Sequence, residues 1–132
     1  MKKTRVLIGI FGLDQHEVGA LSVAQMLRDA GMEVIYAGRF NTPSTLVRGA
    51  IQEDVDVIGI SCHSWEYLHY TPELIELLKK EGADIALVVG GSVITPADAR
   101  SLTGLGVSAV FGPGAAREDI IATIAELGSK RK

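Results

Sequence analysis

Sulfur, aromatic rings and positive charge are all scarce in this chain, and each scarcity excludes something. Cys62 is the only cysteine among 132 residues, so neither an intramolecular disulfide nor a thiolate metal cluster can form, and a lone thiol points to the reducing cytoplasm. Aromatic residues make up 5% of the chain against 47% hydrophobic residues overall. The core must therefore be built from Val, Ile, Leu and Ala, which suits helices layered on strands better than a β-sandwich. A formal charge of -3 gives no basic face for nucleic acid. The one basic cluster, Lys130-Arg131-Lys132, is terminal and reads as a solvated tail. No apolar run approaches the roughly 20 residues of a membrane helix, and Met1-Lys2-Lys3-Thr4 leads into a short strand without a signal core.

What is present is a regular alternation. Four β-branched runs, Val6-Leu7-Ile8, Val34-Ile35-Tyr36, Val57-Ile58-Gly59-Ile60 and Ala86-Leu87-Val88-Val89, are followed by a shorter fifth from Val107 to Phe111. Between them lie apolar residues at helical spacing: Val23, Ala24 and Leu27; Leu46, Val47, Ala50 and Ile51; Leu74, Ile75, Leu77 and Leu78. A last helix carries Ile120, Ile121, Ile124 and Leu127. Thr42-Pro43, Thr71-Pro72 and Thr95-Pro96 each read as an N-cap followed by proline at the first helical position, and Gly31 and Gly82 as C-caps. Continuous apolar strands joined by helices predict an α/β fold with a single five-stranded parallel sheet covered on both faces. The doubly wound, flavodoxin-like or Rossmann-like order 2-1-3-4-5 places the ligand crevice beyond the carboxyl ends of strands 1 and 3. The expected division is an extension at 1–4, one domain at 5–128 and a basic tail at 129–132.

Every unusual stretch then falls on that one edge. Asp14-Gln15-His16-Glu17-Val18-Gly19 follows strand 1, Ser61-Cys62-His63 strand 3, Gly90-Gly91 strand 4 and Gly112-Pro113-Gly114 strand 5. A carboxylate two residues before a histidine can hold one ring nitrogen and fix the tautomer, leaving the other nitrogen to bind a metal. Its plain alternative is a surface hydrogen bond. Gly90-Gly91 and Gly112-Pro113-Gly114 read equally as tight turns or as places where a flat ligand or a phosphate approaches the backbone.

Spacing links these elements. Positions 20 to 60, 41 residues, separate Gly19 from Ser61, and positions 64 to 89, 26 residues, separate His63 from Gly90. Here the chain resembles the cobalamin-binding domain family, whose signature runs Asp-x-His-x-x-Gly, Ser-x-Leu, Gly-Gly at similar intervals. The resemblance spans Arg5 to about Leu127 and is strongest toward the small subunits and carboxyl-terminal domains of methylmalonyl-CoA mutase and related acyl-CoA mutases. Stretches such as Phe11-Gly12-Leu13-Asp14, Gly31-Met32-Glu33-Val34-Ile35-Tyr36 and Val110-Phe111-Gly112-Pro113-Gly114 carry it. The resemblance implies that His16 is the lower axial ligand of cobalt and Asp14 its supporting carboxylate. It also implies that Gln15, Val18, Gly19, Ser61, His63, Gly90, Gly91, Gly112 and Gly114 meet the cofactor, with Ser61, Gly90 and Gly91 along the slot for the displaced nucleotide tail.

Some positions depart from the family pattern. Acyl-CoA mutases read Asp-Gly-His-Asp-Arg-Gly where this chain has Gln15, Glu17 and Val18; the lysine often four residues before the Asp is Ile10, and His63 stands for the leucine of Ser-x-Leu. The crowded stretch Cys62 to Tyr70 places Trp65 and Tyr67 for contact with cofactor or partner, or forms a second metal site with His63 and His69. The function implied is the cobalamin-binding small subunit of an adenosylcobalamin-dependent acyl-CoA mutase, a heteromer with a separate barrel-type catalytic subunit. It would hold the cofactor while the partner holds the substrate. The alternatives are a corrinoid methyl carrier, whose upstream helical cap has no place before a strand at Arg5, and a sensory or cofactor-delivery module. A response regulator would need an acid at the end of strand 3, where Ser61 stands, and a flavodoxin a hydroxyl-rich loop at Phe11 to Gly19.

Overall fold

A computed structural model of the chain describes residues 3–11, 17–62, 66–112 and 114–130. Along them run β1 (Arg5–Phe11), α1 (Glu17–Asp29), β2 (Glu33–Asn41), α2 (Pro43–Gln52) and β3 (Val57–Ser61). There follow α3 (Glu66–Lys80), β4 (Ala86–Gly90), α4 (Pro96–Leu105), β5 (Ala109–Phe111) and α5 (Arg117–Lys130). All strand pairings are parallel and the order is β2-β1-β3-β4-β5, as the sequence predicts. The order reverses between β1 and β3, so the loops leaving these two strands diverge and open a crevice.

Side-chain alternation divides the interior in two. Leu7, Ile58, Ile60, Leu87 and Val89 point to one face, where α2, α3 and α4 bring Leu46, Val47, Leu74, Leu78 and Leu102. Val6, Ile8, Ile10, Val57 and Val88 point to the other, against Ala20, Ala24 and Leu27 of α1 and Ile124 of α5. Each fully buried branched side chain contributes about 1.5–3 kcal/mol. Nothing polar interrupts either layer along the strand centres.

The helix ends are fixed by short-range bonds. Thr42 caps α2 reciprocally with Thr45, and Thr95 accepts from the Asp98 amide. At Gly31, Gly82 and Gly106 the chain turns left-handed, and the following amide bonds back to the carbonyl of Leu27, Leu78 or Leu102. Val107 is thereby part of the α4 terminus, and β5 begins only at Ala109.

Thr71-Pro72 is a correction: it lies inside α3, which starts at Glu66. Tyr67, Thr71, Leu74, Ile75 and Leu78 form one buried stripe at helical spacing. Burial of Tyr67 carries the helix back through the proline, whose missing amide sacrifices one bond. Tyr67 is likewise no contact for cofactor or partner: it is 1% exposed, packed in the core, and donates to Asp98 Oδ2 at 3.0 Å. β2 also runs past Tyr36 to Asn41, and α5 passes Gly128 to reach Lys130.

The amino edge of the sheet is laced by polar groups. Asp56 is buried and its Oδ2 accepts from the Arg5 amide at 2.9 Å, while the Asp56 amide donates to the Arg5 carbonyl at 2.8 Å. The Arg5 guanidinium meets Glu33 and, at 3.0 Å, the Glu53 carbonyl. Asp56→Ala leaves a part-buried amide unpaired and is expected to lower stability by about 1–3 kcal/mol in urea denaturation. Because the opposite edge is untouched, ligand affinity at that edge should not change.

Candidate functional site

On the face toward α1 and α5, the side chains are small where the strands approach their carboxyl ends. β3 presents Val57, then Gly59, then Ser61; β4 presents Ala86, then Val88, then Gly90. Register aligns the small residues, since Ser61 pairs with Gly90 and Gly59 with both Ile8 and Val88. The helices cannot close onto side chains that are absent, and a cavity of about 290 Å³ remains. Gly19, Ala20 and Val23 of α1 wall one side, Ile120 and Ile124 of α5 the other, and Phe111 the far end. Gly112, Gly114 and Ser92 border it. Ser61 and Ser92 are the only polar side chains among the described lining residues. The volume lies at the lower end of the roughly 300–1,000 Å³ range of ligand sites, enough for a flat apolar ring system with a small polar attachment.

Gly90 and Gly91 differ in kind. A Cβ on Gly91 would lie 1.6 Å from the Cys62 carbonyl oxygen, so the neighbouring backbone alone excludes a side chain there. The crossing is laced tightly, with the Cys62 amide donating to Gly90 O at 2.7 Å and the Gly91 amide to Phe111 O at 3.0 Å. A Cβ on Gly90 would meet Phe111 at ordinary distances of 3.5 and 3.6 Å. Gly91 therefore serves the close approach of two loops, and Gly90 the width of the cavity.

Of the residues expected at the site, the structure brings Gly19, Ser61, Gly90, Gly91, Gly112 and Gly114 into one lining. Val18 is 81% exposed on the first turn of α1 and outside that lining. Asp14, Gln15 and His16 lie outside the described residues, as does His63, together with Trp65. Their flanks are placed: Phe11 ends β1 and Glu17 begins α1, both at the carboxyl edge of the sheet. Ile10 is wholly buried between the sheet and α1. Among the described residues no group of three His, Cys, Asp or Glu side chains could hold a metal ion. His69 is exposed and stands edge-on to Tyr70. No helix among them is long and apolar enough to cross a membrane.

Sequence reading missed Gly59 and the helix residues Ala20, Val23, Ile120 and Ile124. A glycine inside an apolar strand is a signal of close approach, and its two-residue offset from Ser61 already places both on one face. The helix residues gave no such sign, because their apolar spacing equals that of any core helix.

Beside the mouth, Tyr36 Oη donates to Glu17 Oε1 at 2.5 Å. Burial, then this bond and the adjacent carboxylate charge, push the Tyr36 phenol up to about 12, with Arg39 opposing. Tyr67 is also pushed up, first by burial and then by Asp98.

Known proteins resemble the chain along nearly its whole length. A profile of the B12 binding domain matches residues 4–122. The pivalyl-CoA mutase small subunit of Xanthobacter autotrophicus is 45% identical over 128 residues, covering 97% of this chain and 86% of that one. The 2-hydroxyisobutanoyl-CoA mutase small subunit of Aquincola tertiaricarbonis is 42% identical, covering 96% and 93%. Methylmalonyl-CoA mutase of Escherichia coli is 36% identical over 98% of this chain, which spans 18% of that protein. Among solved structures, a cobalamin-binding protein from Desulfitobacterium hafniense superposes with a TM-score of 0.81 at 18% identity, over 96% of this chain and 59% of that one. The receiver domain of NarL from Mycobacterium tuberculosis reaches 0.75 at 14% identity, over 99% and 100%. These two likenesses share the fold alone, and a fold shared so widely does not choose between functions.

Gly91→Ala is expected to abolish or strongly reduce folding, while Gly90→Ala melts within about 1.5 kcal/mol of the parent; thermal denaturation monitored by circular dichroism separates them. The tyrosines predict a pH limit. An unfolded phenol ionises near 10 and the folded Tyr36 near 12, so its share of stability is complete below pH 10 and is lost as pH rises toward 12. The urea midpoint should fall across that window, and less steeply in Tyr36→Phe.

Proposed function

The chain belongs to the B12-binding domain family, and we propose that it is the cobalamin-binding small subunit of an adenosylcobalamin-dependent acyl-CoA mutase. The observation that carries this reading is the apolar slot between the strand ends and helices α1 and α5, bordered by the amino end of α1. Gly59, Ser61 and Gly90 leave room there for a nucleotide tail bearing an aromatic base, with Ser61 and Ser92 offering hydrogen bonds to its polar parts. The residues present thus fit the group. His16, directly before α1 in the sequence, would be the protein ligand to cobalt. Asp14 would hold the other ring nitrogen, fixing the tautomer and raising its basicity. Gly19, one turn into α1, spares the slot a side chain.

When bound, adenosylcobalamin supplies a carbon-centred radical by homolysis of its cobalt-carbon bond, for a 1,2-rearrangement of the acyl skeleton. The small-subunit relatives imply a larger catalytic partner, and we take that partner to be a barrel subunit that binds the acyl-CoA. This chain's own work is to seat the tail, aim the imidazole and exclude water behind the cofactor. The single thiol, Cys62, is buried, which suits work in the reducing cytoplasm.

Electron paramagnetic resonance of the Co(II)-loaded protein should show imidazole nitrogen coupling that disappears in His16→Ala. Benzimidazole coupling in the unsubstituted chain would overturn the ligand assignment. Asp14→Ala is expected to weaken cobalamin binding about 10- to 100-fold, measured by absorbance titration. Copurification with a barrel subunit, and acyl-CoA isomerisation by the pair, tests the mutase reading; a stable partner without a barrel would sink it in favour of a sensory or delivery module.

A further inference from the structure

β2 leaves the regular ladder at its carboxyl end. While β1 advances from Ile8 to Gly9 to Phe11, β2 advances from Tyr36 to Gly38 to Asn41, gaining an extra residue at each step. Gly38 (φ 74°) and Phe40 (φ 66°) both take left-handed backbone, and for Phe40 that is a rare state. Asn41 is buried and fastens the irregularity. Its amide nitrogen donates to the carbonyls of Ile10 at 3.2 Å, Ala37 at 3.4 Å and Gly38 at 2.8 Å.

The consequence is a change of face. Tyr36 packs toward α1 and Ala37 toward the opposite core. Strict alternation would send Arg39 the way of Ala37, yet Arg39 Nε lies 3.9 Å from Glu17 Oε2 on α1. The bulge has turned Arg39 to the α1 side, a known use of bulges beside functional sites. There it completes a clasp: Tyr36 Oη holds Glu17 Oε1 at 2.5 Å, Arg39 faces Oε2, and Phe40 lies under the guanidinium at 4.7 Å. Both carboxylate oxygens of the first residue of α1 are held from β2.

A part-exposed ion pair at this distance contributes little to stability, and strained backbone persists where surrounding structure over-determines it, typically at functional sites. Glu17 follows His16 directly in the chain. We infer that Tyr36 and Arg39 are positioning residues which, by gripping Glu17, fix the first turn of α1 and so the backbone from which His16 reaches cobalt. The inference rests on the reading of His16 as the lower ligand.

The test uses the full chain loaded with cobalamin, with affinity from absorbance titration and imidazole coupling from Co(II) resonance. Glu17→Gln, the pair Tyr36→Phe with Arg39→Met, and Arg39→Lys are compared in the parent and in His16→Ala. Tyr36→Phe keeps the ring in its packing, and circular dichroism confirms that each variant is folded. Glu17→Gln and the double variant should lose about 10-fold in affinity and much of the imidazole coupling, while Arg39→Lys retains both. In His16→Ala the same changes should cost less than about twofold, since the grip acts only through the histidine. Unchanged affinity and coupling in the parent would overturn the inference, as would equal losses with and without His16. Absence of imidazole coupling in the unsubstituted chain would overturn the ligand reading and this inference with it, and is distinguishable because it needs no substitution.

Discussion

Pairing of Ser61 with Gly90 across β3 and β4 is the constraint on which the site depends. A parallel sheet must be covered on both faces, and each covering helix settles at a distance set by the side chains beneath it. Over Val57 and Val88 that distance is the ordinary one, and α1 and α5 close on a packed layer. Two residues further along each strand the side chains nearly vanish, and the helices, already held by the lower layer, cannot follow. The cavity is therefore a by-product of rigid helices over a stepped floor. Moving either strand by one residue would turn its small side chains to the opposite core and fill the slot with Ile60 or Val89.

The two edges of the sheet do different work. At the amino edge, Arg5, Asp56, Glu33 and Glu53 tie the starts of β1, β2 and β3 to the end of α2. At the carboxyl edge the polar groups each fasten one loop or strand end to a neighbour: Asn41 the β2 bulge to β1, Tyr36 and Arg39 the start of α1 to β2, the Gly91 amide the β4 loop to Phe111. The first set holds the scaffold together. The second holds loops in particular places on it, which is what a binding edge requires.

Much of this was legible in the residues. Apolar runs with helical intervals specify the alternation and the sheet order, and glycines at 31 and 82 mark helix ends because only they turn left-handed without strain. Thr71-Pro72 has the local chemistry of a helix start, but Tyr67, on the same buried stripe, decides where α3 begins. Gly91 lines the cavity, but what demands glycine there is a contact with Cys62, some thirty residues away in the chain, which no local pattern encodes. The β2 bulge was hidden as well, since Gly38-Arg39-Phe40-Asn41 reads as a loop unless the pairing to β1 is known.

A receiver domain superposes on this chain at 14% identity, a likeness of fold alone, so what distinguishes this chain is what stands at its own strand ends. Here β3 ends in Ser61 beside a cavity, and large apolar side chains remain exposed toward the same edge: Val18 and Leu21 on α1, Phe40 near the end of β2, Leu68 on α3. Among the described residues only Ile51 and Leu105 are comparably exposed elsewhere. Isolated apolar residues on a surface need no explanation, but several toward one edge of a sheet invite one. The slot can bury a tail, whereas a corrin is far larger than 290 Å³ of cavity can enclose. A corrin attached to such a tail would therefore extend beyond the described lining and need cover from elsewhere to exclude water. On the proposed reading that cover would come from the larger catalytic subunit, which these exposed apolar side chains would meet.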